Sequence, residues 1–230
     1  MARTVTSSPM SFRGWPADAL DFYRGLEADN SKTYWQANKA RYEDSVKAPF
    51  EALIDELDPE FGPMRMFRPY RDVRFSKDKS PYKTAAAIYG EREGGTSYYL
   101  HLSTSGLFAG SGSYHMAPDQ LVRFREALDD PAKGGEIEAI CAGLEKKGHS
   151  IGAAEELKSA PRGYAKDHPR ISFLRRKGLV AGFEFPIAAW LHTPKAKDRV
   201  VKVWREQAPL DDWLDARVGP STLPPDDAPR

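Results

Sequence analysis

One cysteine, Cys141, is all the thiol chemistry that this 230-residue chain contains. No intrachain disulfide can therefore form, and a cysteine-based zinc site within one chain is excluded. Ile137, Ile140, Cys141 and Leu144 repeat at the spacing of an apolar helix stripe. That setting predicts a buried core thiol and not a nucleophile, because a working thiolate needs an exposed, electropositive site. Apolar runs of about 18 residues are missing too, and the opening MARTVTSSPM lacks the apolar stretch of a signal peptide. The expectation is a cytoplasmic protein with no membrane partner. Of the five histidines, His101, His115, His149, His168 and His192, no pair has H-x-x-x-H, H-x-H or zinc-finger spacing. No metal and no cofactor are expected from them.

Nucleotide signatures are also lacking. Lys83-Thr84 has no preceding glycine of a P-loop, and after Gly110-Ser111-Gly112 the third glycine position of G-x-G-x-x-G is His115. Ser76 to Lys79 and Ser80 to Lys83 both match S-x-x-K. Pro81 disfavours the helix that would set Ser and Lys one turn apart, and no K-T-G or S-D-N partner accompanies them.

What is present is an ordinary soluble composition, 40% apolar and 29% charged, on a chain long enough to bury a core without staples. Residues 1–11 and 219–230 are rich in Ser, Thr, Pro and Asp and read as flexible ends. Between them no repeat or low-complexity linker occurs, so 12–218 reads as one domain. A first helix starts at Pro16 and carries Ala19, Phe22, Tyr23 and Leu26 on one face. Ser31 caps a second, with Trp35, Tyr42, Val46, Phe50, Leu53, Ile54 and Leu57 inward and a kink or break at Pro49. Short strands follow at Met64–Arg68, Ala85–Tyr89, Ser97–Ser103, Leu107–Tyr114 and Leu179–Phe185. Helices read at Pro118–Leu128, at Glu136–Lys146, around Ile171–Arg175 and from Thr193-Pro194 onward, with Trp213-Leu214 packing beyond Pro209. The predicted fold class is α+β, an antiparallel sheet packed by N-terminal and C-terminal helices.

In the hairpin SYYLHLSTSGLFAGSGSY, Tyr98, Leu100 and Leu102 alternate with Tyr99, His101 and Ser103. A Ser105-Gly106 turn would set Gly110 opposite His101 and Gly112 opposite Tyr99. Two glycines on one face leave a strip where a ligand or another backbone can approach.

Charge balance conceals a concentration of charge. The chain has 34 Lys plus Arg against 33 Asp plus Glu. Residues 65–83, RMFRPYRDVRFSKDKSPYK, hold seven cations against Asp72 and Asp78, net +5, which leaves −4 for the rest. Pro69 and Pro81 favour extended backbone before them. Arg forks interleaved with Tyr70, Phe75 and Tyr82 suit ion pairing to phosphate or carboxylate together with stacking. The opposing structural reading pairs Asp72 and Asp78 with their neighbours and leaves the other cations solvated.

The run from Arg71 to Thr84, RDVRFSKDKSPYKT, resembles the hallmark of a widespread bacterial and fungal family known as domain of unknown function 2461. Phe22, Leu26, Asn30, Trp35, Lys39 and Tyr42, the hairpin from Tyr99 to Tyr114, Pro161-Arg162-Gly163-Tyr164 and Asp167-His168-Pro169 are similar to that family's pattern. The resemblance spans roughly residues 12–215. It implies no particular activity.

From the residues, the first expectation is an anionic small-molecule site. Arg68, Arg71, Arg74, Lys77, Lys79 and Lys83 would grip phosphate or carboxylate, and Gly110 and Gly112 would form a floor. His101, Asp72 or Tyr82 would transfer protons if the ligand is turned over. The pattern accommodates binding and catalysis alike. The alternatives are nucleic-acid binding, with Arg175, Arg176 and Lys177 extending the face, and docking of a protein partner on the basic loop. His168, between Asp167 and Pro169, reads as part of an ordered turn that caps the helix after it.

Overall fold

The computed structural model describes residues 11–74 and 78–224. The helices are α1 (Ala17–Ala28), α2 (Lys32–Tyr42), α3 (Ala48–Phe61), α4 (Pro118–Asp129), α5 (Pro131–Lys146), α6 (Ile171–Leu174) and α7 (Lys195–Arg217). The strands are β1 (Met64–Met66), β2 (Ala85–Glu91), β3 (Ser97–Ser103), β4 (Gly106–Ser113), β5 (Ser150–Gly152) and β6 (Leu179–Phe185). They form one six-stranded antiparallel sheet in the order β1-β2-β3-β4-β6-β5, so the fold is α+β as expected.

Two compact units are distinguishable. The first takes in the chain up to Tyr89, His101–Leu107 and Pro186–Val201, and the second Gly90–Leu100, Phe108–Phe185 and the chain from Lys202. In the first, Ser31 Oγ accepts from the Tyr34 amide and opens α2, so the expected cap is present. Pro16 stands one place earlier than expected, at the N-cap of α1. The expected interruption at Pro49 takes the form of a π-helical turn, Glu43–Lys47, joining α2 to α3. Proline has no amide to bond the Ser45 carbonyl four residues back, and the ladder widens just before it, Ala48 N–H reaching Glu43 O. Of the inner face expected for this helix pair, Trp35, Tyr42, Val46, Phe50, Leu53 and Leu57 are buried and Ile54 is half-buried.

In the second unit, Phe124, Leu128, Ile137, Cys141, Leu144, Leu174, Leu179, Leu210, Trp213 and Leu214 share a core. Cys141 is buried as expected, and desolvation pushes its thiol up to about 12. A thiol so placed is inert, so the folded chain is expected to leave Cys141 unmodified by an aromatic disulfide reagent at pH 8. One equivalent of thiol should react within seconds only once denaturant is added, and rapid labelling of the native chain would refute the burial.

Several boundaries differ from expectation. β5, unanticipated, pairs antiparallel with β6, Ile151 opposite Ala181. Pro209 lies inside α7 and does not end it. The tail expected to be flexible from Gly219 is tied down at its start: Gln120 and Arg123 donate to the carbonyls of Gly219 and Pro220, and Ser221 and Thr222 donate to Asp119. The other residues of the two expected flexible ends lie largely outside the described residues. No described helix is long and apolar enough to cross a membrane.

Candidate functional site

The basic segment leaves β1, folds back on itself and enters β2. Tyr70 and Tyr82 form an antiparallel bridge, flanked by Arg71 N–H to Pro81 O at 2.9 Å and Lys83 N–H to Pro69 O at 2.8 Å. Neither proline has an amide to give, so both serve as acceptors in this narrow ladder. The Asn30 side chain fastens it: its Oδ1 accepts from Tyr82 N–H at 3.0 Å and its Nδ2 donates to Tyr82 O at 3.1 Å. Asn30, two residues beyond the end of α1, is thereby spent on the segment's backbone.

The carboxylates sort the cations. Arg74 grips Asp72 through Nε at 3.0 Å and Nη2 at 2.6 Å, and its guanidinium holds the Asp72 carboxyl down to about 2. Arg71 pairs with Asp78, whose other oxygen accepts from the Ser80 amide and hydroxyl. Lys79 Nζ donates to Val73 O at 2.8 Å. Arg68 and Lys83, by contrast, have no carboxylate within ion-pairing distance among the described residues. Lys83 Nζ lies 4.9 Å over the Phe67 ring, and burial lowers its pKa, with Arg68 and Arg71 adding like-charge repulsion. Arg68, Arg71 and Lys83 thus form a local concentration of positive charge. Lys77 and Phe75 lie outside the described residues.

Other expected participants are placed differently. The Tyr82 ring stacks on Trp35 at 4.4 Å and is 4% exposed, while burial and Tyr70 raise its hydroxyl pKa. Asp72 is locked to Arg74. Neither is placed for proton transfer, since one is a core ring and the other a weak, paired base. β3 ends at Ser103 and β4 starts at Gly106, so the hairpin turn is Thr104-Ser105, one residue earlier than expected. His101, on β3, is half-buried. The glycine strip lies against the backbone of β6. A Cβ on Gly110 would lie 2.7 Å from Ala181 O, and one on Gly112 2.3 Å from Leu179 O, both on β6. Gly110 O also accepts from Trp204 Nε1 at 3.1 Å.

The wider basic face is spent within the second unit. Arg175 donates to Leu157 O at 2.5 Å, Arg176 covers the Phe173 ring at 4.6 Å, and Lys177 pairs with Glu155 at 2.8 Å. His168 accepts from Arg170 N–H and contacts Asp129 at 3.1 Å, the ordered turn that its neighbours suggested.

Residues 18–213 match the family described as conserved hypothetical protein (DUF2461). The chain belongs to this family. No curated protein and no solved structure matches it.

This DUF2461 member also contains an acidic cluster around one buried carboxylate that patterning did not expose. In the second unit, Arg92 contacts three carboxylates of α7: Asp212 at 2.7 Å, Asp215 at 3.0 Å and Asp211 at 3.6 Å. The Asp211 side chain is fully buried, and neither of its oxygens has a hydrogen bond of good geometry. Desolvation raises its pKa to about 7, opposed by Ser111 and Arg92 and reinforced by Asp215 and Asp212. In sequence this reads as LDDWLDA, an ordinary acidic helix face. Only the position of Asp211 beside Trp213 and Leu214, which are core residues, hints at burial. Among the described residues no group of three or more His, Cys, Asp or Glu is placed to hold a metal ion.

Proposed function

We propose that the protein binds a small anion, phosphate or carboxylate, at Arg68, Arg71 and Lys83. The observation that supports this reading is that Lys83 is partly desolvated beside two guanidinium groups, while neither it nor Arg68 has a carboxylate partner among the described residues. Like charges so arranged repel, and an anion shared by all three would replace the repulsion with charge-assisted hydrogen bonds. Arg74 is already neutralised by Asp72, whereas among the described residues Asp78 engages Arg71 through Nη1 only, which confines the attraction to this group.

Titration calorimetry with inorganic phosphate tests it. Each charge-assisted contact contributes about 1.5–3 kcal/mol, so Lys83→Gln and Arg68→Gln should each weaken phosphate binding roughly 10- to 100-fold. Arg65→Gln, on exposed backbone outside the group, should change it little. No binding by the wild type, or equal binding by all variants, refutes the proposal.

Nucleic acid is the second reading for this face, and the commitment of Arg175, Arg176 and Lys177 to local partners favours the small ligand over it. A polyanion neutralised at about five phosphates would show a log–log salt slope near −4 to −5. The three-cation site should give a far shallower slope.

A further inference from the structure

Four large apolar side chains are exposed among the described residues, Phe67, Tyr70, Tyr114 and Val122, and the first two flank Arg68. Tyr70 is the outermost of three rings. Trp35 and Tyr82, both 4% exposed, stack face to face at 4.4 Å with an interplanar angle of 9°. Tyr70, 48% exposed, leans on both, 5.4 Å from Tyr82 and 5.9 Å from Trp35. The ladder of rings therefore runs from the core to solvent and ends on an uncovered aromatic surface. Its position is set in advance. The Tyr70–Tyr82 bridge holds one ring to the next, and the two Asn30 bonds hold Tyr82 to the end of α1. Phe67, 37% exposed, packs on Tyr89 at 4.8 Å beneath the Lys83 ammonium.

An exposed ring loses apolar surface to water unless something covers it. Here the ring is fixed, follows directly on Arg68 and Pro69, and belongs to the segment that gathers unneutralised charge. A rigid aromatic surface beside cations is the arrangement that binds a planar ring and an attached anion at the same time, with little ordering needed on binding. We infer that the ligand is a ring-bearing phosphate of nucleotide type, its phosphate at Arg68, Arg71 and Lys83 and its planar ring against Tyr70. This rests on the anion-binding reading above and adds the class of ligand. Because the exposed rings of this segment are two among the described residues and the unpaired cations few, one nucleotide fits the site better than a strand.

The test is calorimetric titration of the full chain with inorganic phosphate, ribose 5-phosphate and adenosine 5′-monophosphate in parallel. Stacking of one base on an aromatic side chain gives a preference of roughly 5- to 100-fold. Adenosine 5′-monophosphate should bind tighter than the two ring-free phosphates by that factor. Tyr70→Ala should abolish the preference while leaving phosphate affinity within about twofold, and Tyr70→Phe should keep the preference. If phosphate binds and the nucleotide binds no tighter, the ring assignment is overturned and the anion site stands. If none of the three binds, the anion site itself falls. Should Tyr70→Ala weaken phosphate as well, the phenylalanine variant decides: retained preference supports stacking, and its loss refutes it.

Discussion

Between pH 4 and pH 7.5 the chain is expected to lose on the order of 4 kcal/mol of folding stability relative to the Asp211→Asn variant. The Asp211 side chain is fully buried, and desolvation raises its pKa from 3.8 to about 7. At about 1.36 kcal/mol per pH unit, that span gives the stated magnitude. The sign follows from proton binding. Between these two values the folded chain retains a proton that the unfolded chain has released, so stability falls as pH rises. The contribution is fully present below about pH 3.8 and is lost as pH passes through about 7. Asp72, whose carboxyl is held at about 2, acts in the opposite sense, but its window lies below pH 4. Arg92, shared among Asp211, Asp212 and Asp215, does not neutralise all three. The amide introduced by the substitution would keep the shape without the titration. Guanidinium unfolding at pH 4.5, 6 and 8 should show the two proteins nearly equal at the acid end and the variant more stable at the alkaline end. Parallel stability curves across that range would refute the assignment.

Gly112→Ala is expected to destabilise the chain by about 3 kcal/mol or more without weakening phosphate binding. Gly112 has φ +126°, a conformation that costs an L-residue roughly 1–2 kcal/mol. The added methyl would stand 2.3 Å from Leu179 O and 2.8 Å from Val180 Cα, and both are backbone atoms of β6. Relieving that overlap means parting β4 from β6, an overpacking cost of about 1–3 kcal/mol. For a chain of this size the midpoint of thermal unfolding should fall by roughly 6–12 °C. Circular dichroism melting measures it, and calorimetry on the same sample checks the affinity. A melting point within about 2 °C of the wild type would show that β6 does not press on this position. A loss of phosphate affinity in a folded variant would return the glycine to the ligand site.

The elements read best from sequence were those with a local cause. β3 and β6 have the expected bounds, Ser97–Ser103 and Leu179–Phe185, because period-two alternation and flanking turn residues mark them. Ser31 caps α2 because a hydroxyl before a helix has a donor within reach whatever else the chain does. β5 escaped detection because three residues, Ser150–Gly152, carry no period and exist as a strand only through pairing with β6. The hairpin turn moved by one residue because register depends on both strands and on their neighbours in the sheet. Gly110 and Gly112 looked equally ready for a ligand or a backbone, and the backbone that approaches them belongs to β6, about 70 residues further along the chain.

The site divides the same way. Composition by itself determined that five net positive charges are concentrated in residues 65–83 while the remainder of the chain is acidic. It also determined that prolines and aromatics alternate with those charges. Which cations remain available was decided only in the folded chain, where Asp72 takes Arg74 through Nε and Nη2 while Asp78 engages Arg71 through Nη1 alone. Arg68 and Lys83 are left beside Phe67 and the exposed Tyr70. The reason is physical. Charge is a property of each residue, but ion pairing and desolvation depend on distances of a few ångströms. In this segment those distances are set by the Tyr70–Tyr82 bridge and its attachment to Asn30.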